Sequence, residues 1–353
     1  MAVLETILWK KILCRTGASD LIGDNRLVSA GVSNLWTSYM SNSLAVCMNK
    51  YALQIIEDPN IRKVHELALQ VSEHNVKQIA RIFQEIRFPV PDGFNENDVN
   101  LNAPRLFTDH YHLFYLHVLT IHGLSGYSLA LTVSESPQVR QFNIDAYTLT
   151  VDLYNKTLEL MQNLGIYDHF PQIPTPDTFE YAEKQSYLAG WIGEQRPLNV
   201  MEITSIYANL RKSIMLKTLA IGFSQTAESQ EVRAHMARTI DLAAKHIELW
   251  SGVLHDDYLD SAVTYDTHVT DSQIAPFSDK LMMVHGGFLI AAAMTYYGTG
   301  MATGMRRDLA PHYAACIARD AKVAEDGMNI LIKNHWYEQP PQAANRKALS
   351  KPD

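Results

Sequence analysis

The sequence predicts an all-α protein built from a duplicated four-helix unit. Apolar residues recur at helical spacing through nearly all of the 353 residues. Helix-start and helix-stop residues divide that pattern into eight long segments, and the last four repeat the first four at an offset of about 170 residues. A single core stops growing near ~250–300 residues, so a chain this long is expected to build two.

In the first segment Val32, Tyr39, Val46 and Leu53 recur every seven residues, which sets them on one helical stripe. Asp58-Pro59 breaks it. The second segment carries Leu67, Val71, Ile79, Ile82 and Ile86 on one face and stops at Pro89 and Pro91. Residues 88–106 show little period and read as a long loop. A third helix is expected from Phe107 to Thr132, and Ser136-Pro137 caps a fourth that runs to about Leu164. A linker follows at 168–198, with Pro171, Pro174, Pro176 and Pro197. Its YLAGWIG string at 187–193 is apolar enough to pack. The pattern then restarts, with helices expected at 199–224, 229–254, 277–303 and 308–334 around a second polar connection at 255–276. Phe107-Thr108-Asp109 aligns with Phe277-Ser278-Asp279, Tyr127 with Tyr297, Tyr167 with Tyr337, and Arg62 with Arg233 after one residue of drift. A period this long means domain duplication, since solenoids repeat every ~20–50 residues.

Short turns join helices one and two, and helices three and four, so each pair is antiparallel. The middle connection is long enough to return along the bundle, which gives the ferritin-like topology with helices two and three parallel. The expected organisation is an N-terminal extension at 1–29, a first bundle at 30–167, the linker at 168–198, a second bundle at 199–340 and a tail at 341–353.

The formal charge of −8 argues against a nucleic-acid surface and against docking on anionic lipid. The three cysteines, Cys14, Cys47 and Cys316, are widely spaced and form no metal pattern, which fits reduced thiols. Lys10 and Lys11 follow rather than precede the first apolar run, unlike an export signal. Polar residues interrupt every apolar helix before the ~18 residues a bilayer needs. A cytoplasmic protein without membrane insertion is expected.

Several strings carry a resemblance: VSNLWTSYM at 32–40, VPDGFNENDVNLNAPRLF at 90–107, EKQSYLAGWIGEQRPLNVMEI at 183–203, SDKLMMVH at 278–285, MRRDLAPHYA at 305–314 and NHWYEQPPQAANR at 334–346. Together they resemble a domain-of-unknown-function family of spore-forming bacilli with two tandem ferritin-like repeats, similar to spore coat F-type proteins. The resemblance covers roughly residues 27–349. It implies the duplicated bundle and a link to sporulation, and the family has no established activity. Residues 1–26 differ from its usual short, polar start.

A ferritin-like bundle raises the question of a di-iron site, which needs a Glu from two helices and Glu-x-x-His from the other two. No Glu in this chain has a His three residues later, and Glu57 and Glu202 stand only at the ends of their helices. Histidines still cluster. Asp109, His110, His112, His117 and His122 lie on helix three, where the ordinary reading is a polar helix start with hydrogen-bonded core histidines. In the second repeat His246, His285, His312 and Glu325 sit near apolar stripes. Their levels along the bundle leave only His285 and Glu325 able to meet, His246 lying ~12 Å lower at 1.5 Å per residue. His246, His285 and Glu325 are therefore the metal candidates, set against a buried hydrogen-bonded pair as the plainer reading.

Asn75 and His246 align at an offset of 171 residues and fall in matching stripes, which marks them as polar core residues that fix helix register. Other motifs fail. GTGMATGM at 298–305 follows no strand, Gly123-Leu-Ser-Gly126 lacks the strand–turn–helix of a nucleophile elbow, and 255–271 lacks the calcium-loop pattern. Cys47 reads as a small buried hydrophobe. The expected function is a non-catalytic structural or interaction protein, without cofactor, with protein partners or self-association and with spore association implied by the resemblance. The rivals are a metal- or small-ligand-binding bundle and an enzyme using a pocket between the bundles near Trp191, Trp250 and Trp336.

Overall fold

A computed structural model describes residues 27–190 and 195–350. Its eight long helices are α1 (Ser29–Ile55), α2 (Pro59–Glu85), α3 (Asp109–Thr132), α4 (Pro137–Asn163), α5 (Val200–Thr226), α6 (Gln230–His255), α7 (Asp279–Thr303) and α8 (Leu309–Lys333), and the short α9 spans Arg346–Leu349. Expected and observed helix ends agree within about three residues. Residues 1–26, most of the N-terminal extension, lie outside the described part.

Local chemistry sets the boundaries. The Asp58 carboxylate caps α2 by accepting from Asn60 N at 2.7 Å and Ile61 N at 3.0 Å, with Pro59 at the first helical position. Thr108 caps α3 and Ser278 caps α7 at equivalent positions. Asn199 and Glu202 form a capping box on α5. Each repeat packs as two hairpins, α1 on α2 and α3 on α4, then α5 on α6 and α7 on α8. The second and third helices of each repeat start at the same end. Asp109 accepts from Glu57 N and Asp58 N at the head of α2, and Asp279 accepts from Glu228 N and Ser229 N at the head of α6. These helices therefore run parallel.

The two cores expected are not one per repeat: the larger is shared by both repeats and runs from Met40 in α1 to Leu331 in α8, and a smaller one around Leu35, Ile79, Phe83 and Phe142 lies within the first. The crossovers, expected as plain loops, build the seam by reciprocal exchange. Val99 bridges Phe277, and Phe107 bridges Val269. Asn100 N donates to Pro276 O at 2.8 Å, and Thr270 N donates to Leu106 O at 2.9 Å. Ser278 Oγ donates to Asp98 at 2.6 Å, and Thr108 Oγ1 lies 2.6 Å from His268 Nδ1. Each contact is the duplicate of its partner at the 170-residue offset, so a pseudo-two-fold axis passes through the seam. Beyond the fourth helix of each repeat the chain docks on the other repeat's crossover: Asp168 accepts from Val263 N, and Glu338 accepts from Asp92 N and Gly93 N.

This seam explains the composition of its helices. Residues 111–118 of α3 and 209–216 of α5 are buried on every side, whereas α2, α6 and α8 are amphipathic. Helix α7 is long and apolar enough in composition to cross a membrane, contrary to the expectation that no helix would be, and half of that stretch is buried inside the fold. Gly222 lets the seam close, because a Cβ there would stand 2.5 Å from the Phe107 ring.

Candidate functional site

Each repeat holds polar residues at equivalent positions of its four helices, hydrogen-bonded across three helices in each repeat. In the first repeat all four are uncharged. Asn75 donates to Asn42 Oδ1 at 3.0 Å and to Tyr127 Oη at 3.2 Å, Asn42 donates to Tyr127 Oη at 2.9 Å, and Thr150 donates to Ala146 O. The equivalents in the second repeat are Ser213, His246, Tyr297 and Asp320. Tyr297 Oη lies 3.1 Å from Ser213 Oγ and 3.0 Å from His246 Nδ1, and that nitrogen is 3.6 Å from Asp320 Oδ1. Duplication has thus kept the position and exchanged a neutral network for a titratable one.

A small enclosed cavity of about 10 Å³ adjoins the second cluster, lined by His122, Lys212, Ser213, His246, Tyr297 and Asp320 among apolar residues. His122 comes from α3, so the first repeat contributes to it. This volume holds about one water molecule. His122 Nε2, His246 Nε2 and Asp320 Oδ2 have no hydrogen-bond partner in the protein, and one water would satisfy polar atoms of this kind. Lys212 is buried over the Tyr296 ring and forms no ion pair among the described residues.

Burial sets the charge states. It pushes the Asp320 carboxyl up to about 7. It pushes His246 down to about 4, helped by Arg319, and Lys212 down to about 6, helped by Arg211. All three move toward the neutral form, as desolvation requires.

Of the metal candidates, only His246 reaches the cluster. His285 is buried elsewhere, with Nε2 3.1 Å from Tyr115 Oη. Those two residues are duplicates of each other, so the pair sits close to the pseudo-two-fold axis. The expected meeting of His285 and Glu325 does not occur, because Glu325 is exposed. Five residues separate it from Asp320, and at 3.6 residues per turn that rotates it about 140° away from the core face. Equal height along a bundle does not bring two side chains together when one faces away from the core. Asn75 is buried and bonded to two facing helices, as described above. Asp320 and Lys212 were missed, although Asp320 follows Tyr313 and Cys316 at helical spacing on the buried stripe of α8, a place where a lone acid is costly.

The donors present do not fit a di-iron centre: two imidazoles, one carboxyl, a phenol and a lysine replace the carboxylate-rich set such a centre needs. Among the described residues no three His, Cys, Asp or Glu side chains converge at metal-holding distance. The rival enzyme reading places a pocket between the bundles near Trp191, Trp250 and Trp336. Trp250 is fully buried, its ring 4.4 Å from that of Tyr313, and neither Trp250 nor Trp336 lines the enclosed cavity or the open cleft between α6 and α8. Trp191 lies outside the described residues.

Replacing His246 with Leu should change stability by no more than about 2 kcal/mol in either direction. Replacing Lys212 with Met should raise it by about 1–3 kcal/mol, because a buried amine whose desolvation no ion pair offsets is removed. Chemical denaturation checks both, and a Lys212→Met protein less stable than the wild type would show that the amine has an unrecognised partner.

The sequence matches the family described as "Protein of unknown function (DUF3231)" twice, over residues 17–179 and 186–349. No curated protein matches it. Among solved structures it is similar to the crystal structure of a "putative spore coat protein" from Bacillus halodurans C-125, at 18% identity and a TM-score of 0.36, covering 44% of this chain and 96% of that one. With both repeats matched over nearly their whole length, the chain belongs to the DUF3231 family and carries its domain in tandem.

Proposed function

We propose that this protein is a non-catalytic helical frame that acts by associating with protein surfaces, each repeat being a ferritin-like bundle without the metal centre. The parallel second and third helices and the long crossovers support that topology. The observation that carries the functional reading is the closed interior. The polar cavity of the second repeat has room for about one water, whereas small-molecule sites usually span about 300–1,000 Å³. The sequence strings that resemble a family of spore-forming bacilli, itself similar to spore coat F-type proteins, support the sporulating cell as the setting.

The test is genetic and biochemical. A variant carrying Lys212→Met, His246→Leu and Asp320→Asn, verified as folded by circular dichroism, replaces the wild type in sporulating cells. It is expected to partition with the coat fraction as the wild type does and to support the same spore resistance. A folded variant that partitions normally yet loses the wild-type phenotype would point to chemistry at the cluster. A wild-type protein recovered wholly in the soluble fraction would reject association with the coat.

A further inference from the structure

The linker between the repeats carries an exposed arm, and the chain carries its duplicate after the second repeat. The first arm is tied at both ends. Asp168 accepts from Val263 N, the Phe170 ring packs 4.9 Å from that of Tyr207, and Leu188 O accepts from Arg307 N. Between these ties residues 172–186 are all exposed. Phe179 and Tyr181 are 79% and 82% exposed, their rings edge to face at 5.7 Å. Two neighbouring aromatics this open to water are a liability unless something covers them. Asp177, Glu180 and Glu183 surround them, with Lys184 the one cation of the exposed stretch.

The second arm begins at Glu338, the duplicate of Asp168, and residues 339–350 are exposed throughout. At the 170-residue offset Phe179 aligns with Leu349. Leu349 is 73% exposed, yet its neighbours are Arg346 and Lys347, and no acid falls between 339 and 350. Duplicated arms have therefore become opposite: one aromatic and acidic, the other aliphatic and basic. No hydrogen bond or ion pair joins them within the chain among the described residues.

We propose that the acidic arm of one copy docks on the basic C-terminal arm of a second copy, with Phe179 and Tyr181 against Leu349 and the acids against Arg346 and Lys347. This rests on the association reading above and names the partner. The two arms are different surfaces at separate places on the molecule, so the contact is heterologous. Each added copy leaves one free arm of each kind, which builds an open head-to-tail chain unless the rotation closes a ring.

The experiment uses the full-length purified protein in sedimentation velocity over a concentration series. One variant reverses the first arm (Asp177→Lys, Glu180→Lys, Glu183→Lys), and another reverses the second (Arg346→Glu, Lys347→Glu). All five residues are exposed, so both should fold. The wild type is expected to gain mass with concentration at low salt and to lose the gain near 1 M salt, where the screening length falls to about 3 Å. Each variant alone should stay monomeric, and an equimolar mixture of the two should associate again. Variants that associate as the wild type does would overturn the arm assignment and leave association through another surface. A wild type monomeric at every concentration would overturn the second copy as partner, whatever the outcome of the coat-fraction test.

Discussion

Acidification to about pH 5 is expected to unfold this protein cooperatively. Six imidazoles, those of His65, His112, His117, His235, His246 and His285, are buried. Burial holds His65, His235 and His246 down near 4 and His117 and His285 near 3, and drives His112 well below its ordinary value. Their folded-state pKa values are depressed, so the unfolded chain binds more protons between about pH 6.5 and 4. Their stabilising contribution is complete above about 6.5 and is lost as the pH falls. At about pH 5 each costs roughly 2 kcal/mol, and six together approach the whole stability of a typical domain. Asp320 works in the opposite direction. Its folded pKa is raised to about 7, so its burial costs less as the pH drops, but one carboxyl recovers at most about 4 kcal/mol. The ellipticity at 222 nm, followed by pH titration, is expected to collapse above about pH 4.5. A helical signal that persists cooperatively to pH 4 would mean that the imidazoles are solvated or paired in ways the structure does not contain.

Replacing Glu202 with Ala should destabilise the fold by about 3–5 kcal/mol. Its carboxylate is buried at the junction of the linker, the start of α5 and the turn between α7 and α8. It accepts two bonds from Arg196 at 2.8 Å, and one each from Asn199 N, Met305 N and Arg306 N at 2.9 Å. Burial alone would raise its pKa, yet these five donors hold it down at about 2. Removing the carboxylate leaves a half-buried guanidinium and three backbone N–H groups without an acceptor, which is the costly way to break a buried pair. Urea denaturation reads the loss. A change under about 1 kcal/mol would show that water replaces the carboxylate at that junction.

What the sequence disclosed follows from what depends on near neighbours. The helices were legible because capping residues such as Asp58 and Asn199 and the apolar stripe of α2 act within a few positions. The duplication was legible in Phe107/Phe277 and Tyr127/Tyr297. The crossovers were not, because the bonds of Asp98 and Thr108 go to Ser278 and His268 in the other repeat, some 160–180 residues away. The candidate cluster was half legible. Asn75 and His246 stood out as polar residues in apolar stripes, while Lys212 and His122 meet only across the seam. Glu325 misled because a residue at the right height can face the wrong way.

Association through the two arms is tested most directly by placing a photo-crosslinking benzoylphenylalanine at position 179 in purified protein. Unlabelled and nitrogen-15-labelled copies are mixed, irradiated and mapped by mass spectrometry. The expected product is a mixed-isotope crosslink from position 179 to the segment 345–350 of another copy. Crosslinks confined to single chains, or intermolecular crosslinks that avoid that segment, would contradict it.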